Sequence, residues 1–269
     1  MASSPVAFER ILRRDRQLVT AVLGLTIVSA WLYLLLGAGL GSGSSTATIG
    51  THGAIPDASH GDVTQTWDAT HALIVVVMWW LMMVAMMLPS AAPTILLAAA
   101  LNRRADEGRK PYGETGFFVA GYLFVWLLFS VAATLCQWAL ETGGLLSPMM
   151  ASANGYLSGA LLVAAGVWQQ TASKQACLRH CRSPVQYLVR HRRPGNRGAL
   201  VMGMGHGTYC VGCCWALMGL LFYAGVMDLL WVAGLALYVL LEKRFMAGER
   251  VSRYAGMALM LAGVVLFVA

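Results

Sequence analysis

Seven stretches of the chain are almost free of charge, and polar segments separate them. They are 18–40, 71–101, 115–140, 155–172, 199–223, 226–241 and 254–269. A helix needs about 20 apolar residues to cross a hydrocarbon layer of about 30 Å. A spanning segment must also satisfy its own backbone polar groups, which a helix does. The pattern predicts an all-α fold, a polytopic transmembrane helix bundle of about seven helices, with the last run the shortest. Residues 1–17 read as a polar segment ahead of it. Residues 18–269 read as one helical domain, with a Gly-, Ser- and Thr-rich external loop at 41–70 and a cytoplasmic Cys/His segment at 174–198. No small-residue cleavage site follows the first run, which is therefore expected to stay as a helix.

Charge fixes the expected direction of each run. Arg10, Arg13, Arg14 and Arg16 precede the first. Arg103, Arg104, Arg109 and Lys110 follow the second, and seven basic residues from Lys174 to Arg197 follow the fourth. Lys243, Arg244, Arg250 and Arg253 follow the sixth, whereas 41–70, 141–154 and 224–228 contain neither Lys nor Arg. Basic loops mark the cytoplasmic side, so the N-terminus is expected in the cytoplasm and the C-terminus outside. Composition agrees: 58% hydrophobic and 12% charged residues exclude an ordinary soluble domain and a disordered chain. The net charge of +7 is accounted for by this alternation. The expected partner is the lipid bilayer and not nucleic acid.

The second run carries Met78, Met82, Met83, Met86 and Met87 at helical spacing, which forms one broad stripe. Thioether sulfur is a soft ligand suited to Cu(I); packing is the plainer use of methionine. Pro89 and Pro93 follow. They predict either a local opening beside the stripe or a helix end followed by a short re-entrant piece at 94–101.

The fifth run carries His206, Cys210, Cys213 and Cys214 within one stripe about 100° wide. Two kinds of soft donor on one intramembrane face point to a metal or to thiol redox chemistry, and an ionisable group there is costly unless used. Gly203, Gly205 and Gly207 would let another helix approach closely. With the second run pointing inward and the fifth outward, methionines and cysteines fall at matching depth, and contact between the two is expected.

Cys177, His180 and Cys181 share one helical face in the basic segment. In a reducing cytosol, metal binding or transient redox is favoured over a stable disulfide. Lys174, Arg179 and Arg182 are expected to lower the thiol pKa values. Cys136 stands alone and reads as packing. His52, His60 and His71, with Asp57, Asp62 and Asp68, form either a solvated outer loop or a cation-collecting entrance. Asp228 and Glu242 bracket the sixth run, with Glu242 beside Lys243 as its natural partner.

The same residues carry a family resemblance. The stretches are Met82-Met-Val-Ala-Met86-Met-Leu-Pro89, Cys-Leu-Arg-His-Cys-Arg-Ser-Pro ending at Pro184, Gly205-His-Gly-Thr-Tyr-Cys-Val-Gly-Cys-Cys-Trp-Ala-Leu-Met218, Gly225-Val-Met-Asp-Leu-Leu-Trp231 and Glu242-Lys243. Over roughly 70–245 the chain resembles a bacterial family of metal-binding integral membrane proteins, a domain of unknown function. The resemblance implies a multi-pass protein of a bacterial cytoplasmic membrane with a metal site.

Three functions compete. The first is handling of a soft transition metal, foremost Cu(I) with zinc second, for transport or for delivery to a cuproenzyme through a donor or acceptor protein. Its ligands would come from His206, Cys210, Cys213, Cys214, Met82, Met83, Met86, Met87, Cys177, His180 and Cys181. The second is a membrane thiol–disulfide oxidoreductase, although no cofactor motif accompanies the cysteines. The third is a non-catalytic assembly scaffold. No nucleotide-binding loop is visible, which argues against ATP-driven pumping by this chain. The first reading is the one adopted.

Overall fold

The apolar runs become long helices because little inside them interrupts the backbone ladder. A computed structural model describes residues 5–36, 67–105, 112–147, 150–152, 154–245 and 248–268. The helices are α1 (Pro5–Leu35), α2 (Ala69–Ala105), α3 (Tyr112–Thr142), α4 (Gly155–Gln170), α5 (Ala172–Arg182), α6 (Pro184–Arg190), α7 (Gly195–Gly219), α8 (Leu221–Ala224), α9 (Leu229–Arg244) and α10 (Gly248–Val268). Among the described residues the fold is all-helical, with one isolated bridge pairing Leu146 and Ser152. His52, Asp57, His60 and Asp62 of the expected entrance lie outside the described residues.

Five segments are long and apolar enough to cross a membrane: Gln17–Leu35, Ala69–Asn102, Gly113–Thr142, Gly195–Ala224 and Glu249–Val268. The lengths differ from the sequence expectation at three places. The last run is not short, because α10 begins at Gly248 and takes in Glu249, Arg250 and Arg253 as its first turns. The fourth and sixth runs form 16-residue helices, about 24 Å long at 1.5 Å per residue. Thr171 ends α4: its N–H donates to the Trp168 carbonyl while its hydroxyl caps α5 by accepting from Lys174 N–H. Asp228 starts α9 by accepting from the Leu230 and Trp231 N–H groups. Large apolar side chains such as Leu25, Leu32, Leu128, Leu135, Leu261 and Val265 point outward. So much exposed apolar surface is what an interaction with lipid or another apolar partner would require.

The prolines do not end α2. The helix continues past Pro89 and Pro93 to Ala105, so the expected re-entrant piece at 94–101 is simply its last third. Proline removes a ladder bond. Beside this stretch the Met87 carbonyl accepts from the Ser90 hydroxyl (2.8 Å) and the Tyr122 hydroxyl (3.2 Å).

The basic segment, whose cysteine spacing reads as a helical face, is helical over Ala172–Arg182 and Pro184–Arg190 and packed. α4, α5 and α6 run in succession down α7. Trp168 donates to the Gly212 carbonyl, Cys177 lies against Gly212, His180 stacks on Tyr209, and the Tyr187 hydroxyl donates to the Met202 carbonyl. Gly212 leaves room for Cys177: a Cβ there would sit 2.8 Å from its sulfur.

Backbone contact holds α3 against α7. A Cβ on Gly203 would overlap the Phe118 carbonyl, and one on Gly121 would overlap the Leu200 carbonyl. Gly203 and Gly207 thus serve the close approach their spacing suggests, while Gly205 faces the Tyr187 hydroxyl. Small residues join α4 to α10 in the same way, through Gly159, Gly166, Gly256 and Gly263.

Two polar clusters are built into this packing. In the first, Lys174 is fully buried and its ammonium donates to Gln169, Glu242 and Ser252. Glu242 therefore pairs with Lys174 of α5 and not with its chain neighbour Lys243. A helix places consecutive residues about 100° apart, so Glu242 and Lys243 point to different neighbours. In the second, Trp79 donates to Gln137 (2.7 Å), Gln137 to Glu141 (2.8 Å) and Trp67 to Glu141 (2.9 Å). That cluster straps the start of α2 to the end of α3.

Candidate metal centre

The stripe on α7 faces inward as a unit. His206, Cys210, Cys213 and Cys214 are all buried, since one face of a helix must be covered by whatever packs on it. Cys213 and Cys214 both donate to the Cys210 carbonyl, at 3.1 and 2.9 Å. Across the interface, Cys214 Sγ is 3.8 Å from Met87 Sδ. The expected contact between the second and fifth runs exists, and Met87 makes it. Met82, Met83 and Met86 are buried in the same core.

α5 adds a further sulfur. Cys181 is within hydrogen-bonding reach of Cys210 and Cys213, which raises its pKa well above the ordinary thiol value, with burial acting in the same direction. Cys177 lies half-buried one turn earlier, and burial followed by the nearby Cys213 raises its pKa as well. The sequence expectation was the reverse, and the reason is geometric. Lys174 is committed to Glu242, Arg179 reaches Glu249 at 3.9 Å, and Arg182 donates to the Phe245 carbonyl. The basic side chains therefore point away from both thiols. Cys177 is expected to react with iodoacetamide more slowly at pH 8 in the folded chain than in the denatured chain, with the rate climbing as pH rises. Peptide-level mass spectrometry reads this directly, and faster reaction in the folded chain would restore the basic neighbours as the dominant influence.

His180 does not join its two cysteine neighbours. Its ring stacks on Tyr209 at 4.2 Å and faces outward, while Cys181 faces the core. Cys136 is exposed on α3 and is not a packing residue of the core. All six cysteines are free thiols.

Three residues that the sequence did not mark belong to the centre. The Tyr122 hydroxyl lies 3.2 Å from Cys210 Sγ, and the Lys243 ammonium lies 3.0 Å from the same sulfur and 3.2 Å from the Ser90 hydroxyl. Lys243 closes the Glu242-Lys243 block, so a basic residue ending an apolar run was the available signal. Tyr122 and Ser90 carry none, being ordinary polar-tipped residues within apolar helices.

The donor set fits a soft ion. Thiols of Cys181, Cys210, Cys213 and Cys214, with the Met87 thioether beside them, are the ligand types that select Cu(I). Buried nearby, His206 packs among Phe118, Tyr122 and Tyr187, and its Nδ1 has no hydrogen-bond partner. A buried ring nitrogen without a partner is uncommon unless it has another use. Among the described residues, no three His, Cys, Asp or Glu side chains form a ready-made cation site. Two of the thiols are turned onto the Cys210 carbonyl, and Lys243 rests against the third.

A family model described as a copper chaperone, PpoB2, matches residues 76–266, well over half of the chain. The chain belongs to that family. No curated protein and no solved structure matches it. The copper chaperone family match spans α2 from Val76 onward through nearly all of α10, and so includes every described donor named above.

Proposed function

We propose that this chain is a multi-pass membrane copper chaperone that carries Cu(I) as cargo and delivers it to an acceptor protein such as a cuproenzyme. The single observation that carries this reading is the convergence of Cys181, Cys210, Cys213, Cys214 and Met87 in a buried, helix-packed interior. Family membership supports copper, and five long apolar helices support the membrane. His206 completes the donor set, and Met82, Met83, Met86 and Cys177 form its soft surroundings. Zinc, which also accepts Cys and His, ranks second because thioether adds nothing for it.

We also infer the topology from charge. The Arg-rich segments lie in the cytoplasm of a bacterial cell, the N-terminus with them. α4 and α9 act as short spans in a seven-pass arrangement, and residues 18–269 form one domain.

The test is metal content of the detergent-purified chain, prepared anaerobically from cells given copper or zinc. The wild type is expected to retain near-stoichiometric copper. A chain with His206→Ala, Cys210→Ser, Cys213→Ser and Cys214→Ser is expected to retain almost none. Metal-free wild type with its thiols confirmed reduced would overturn the proposal.

A further inference from the structure

Outside the sulfur core, α5 and α6 enclose a pocket of about 280 Å³ lined by Arg179, His180, Ser183, Gln186, Tyr187, Arg190 and His191. Its two imidazoles are held alike. His180 Nδ1 lies 2.8 Å from the Ala176 carbonyl, and His191 Nδ1 lies 3.1 Å from the Tyr187 carbonyl. A carbonyl only accepts, so Nδ1 is the N–H in both rings. In the neutral ring this leaves Nε2 as the lone-pair nitrogen. Donation of one ring N–H to a backbone carbonyl is the usual arrangement behind a metal-ligating histidine, because it fixes tautomer and ring orientation. Two rings so fixed, on the last turn of α5 and just past α6, line one pocket.

The pocket is linked to the core by aromatic rings. His180 stacks on Tyr209 (4.2 Å between centroids, 2° between planes), and Tyr209 meets Tyr187 edge to face at 6.0 Å. Tyr187 stacks on His191 at 4.8 Å on one side and lies 5.5 Å from the His206 ring on the other. Tyr187 is buried, and its hydroxyl is tied to the Met202 carbonyl at 2.7 Å. Tyr187 therefore lies between His191 and the inner imidazole, and Tyr209 with Tyr187 between His180 and it; the inner Nδ1 is unpartnered.

The charge of the pocket decides what it takes. Arg179 and Arg190 line it, and among the described residues Glu249 lies 3.9 Å from Arg179. A bare cation is poorly served by two guanidinium groups. Guanidinium does suit carboxylates, with planar two-point geometry.

We propose that the pocket between α5 and α6 is the intake site for copper, receiving the ion from an anionic Cu(I)–thiolate carrier onto Nε2 of His180 and His191 while Arg179 and Arg190 hold the carrier's carboxylates. The step is a ligand exchange: a Cu–S bond breaks as a Cu–N bond forms. Copper stays Cu(I), and the thiolate leaves with its electron pair and takes a proton from solvent. The destination rests on the proposed chaperone function, but the pocket itself does not.

The experiment uses the full purified chain and Cu(I) presented as its glutathione complex. His180→Phe with His191→Phe keeps the aromatic stacks and removes both nitrogens. The initial loading rate is expected to fall roughly tenfold or more, since loss of the groups that merely orient metal ligands already costs about that much, with final copper per chain unchanged. Arg190→Gln should slow loading from the glutathione complex but not from the cationic Cu(I)–acetonitrile complex. A second chain, with Cys181, Cys210, Cys213 and Cys214 changed to Ser, should still hold weakly bound Cu(I) against a chromophoric chelator, and should lose it when the two His→Phe changes are added. Unchanged loading rates in the His→Phe chain would overturn the pocket while leaving the sulfur core standing. Imidazole-dependent copper in the cysteine-poor chain, with no copper in the core of the wild type, would uphold the pocket and remove the core reading.

Discussion

Lys174→Ala is expected to cost about 3–5 kcal/mol of stability, the loss that follows when one partner of a buried ion pair is removed and the other is left uncompensated. Lys174 and Glu242 are both fully withdrawn from solvent, and the ammonium also serves Gln169 and Ser252. These four residues belong to α4, α5, α9 and α10, with Tyr238 placed to donate to Glu242 at 3.5 Å and to accept from Gln169. The single change therefore loosens four helices at once. Lys174→Met with Glu242→Met is expected to be close to neutral, since apolar side chains of similar volume often replace such pairs without loss. Thermal unfolding in detergent, followed by tryptophan fluorescence, separates the two chains. A Lys174→Ala midpoint equal to that of the wild type would show that the pair does not hold these helices together.

Gly203→Val is expected to prevent α3 and α7 from docking. Overpacking a filled interior costs about 1–3 kcal/mol when side chains can give way. Here the obstacle is the Phe118 carbonyl, part of a helix backbone that cannot turn aside. The loss should exceed that range and appear as failure to recover folded protein. Gly116→Ala is the matched comparison on α3, because nothing lies within 4 Å of its Cβ position. It should gain about 0.5–1 kcal/mol, the usual difference between Ala and Gly inside a helix. Equal yields and equal unfolding midpoints for the two variants would mean that the helices are farther apart than described.

What the sequence revealed follows from how far each signal reaches. Helices α2, α3 and α7 announce themselves, because lack of charge over 20 or more residues is a local property. The cysteine stripe is equally local: residues four apart share a face whatever lies opposite. Partner choice is not local. Lys174 counts as a cytoplasmic charge when loops are scored for Lys and Arg, yet its carboxylate partner lies 68 residues away on α9. Lys243 looked like the mate of Glu242 and turned out to face Cys210. The methionine stripe promised five sulfurs without ranking them, and the depth of α7 brings Met87 to Cys214. The break between α4 and α5 was hidden for a different reason. Thr171 ends one helix and caps the next, and nothing near it resembles a conventional loop.

The hydrogen-bonded strap between α2 and α3 bears on the route that the proposed cargo would take. Trp79 fills the space beside Phe222 and donates to Gln137, which in turn donates to Glu141. Phe222, on α8, follows Cys214 in the chain, whereas Tyr209 and His206 on α7 precede it. Among the described residues, the interior beyond Cys214 is filled by Trp79 and Phe222 and tied by this cluster. On the proposed chaperone reading, donor and acceptor would both have to meet the sulfurs from the Tyr209 side, as callers at one door.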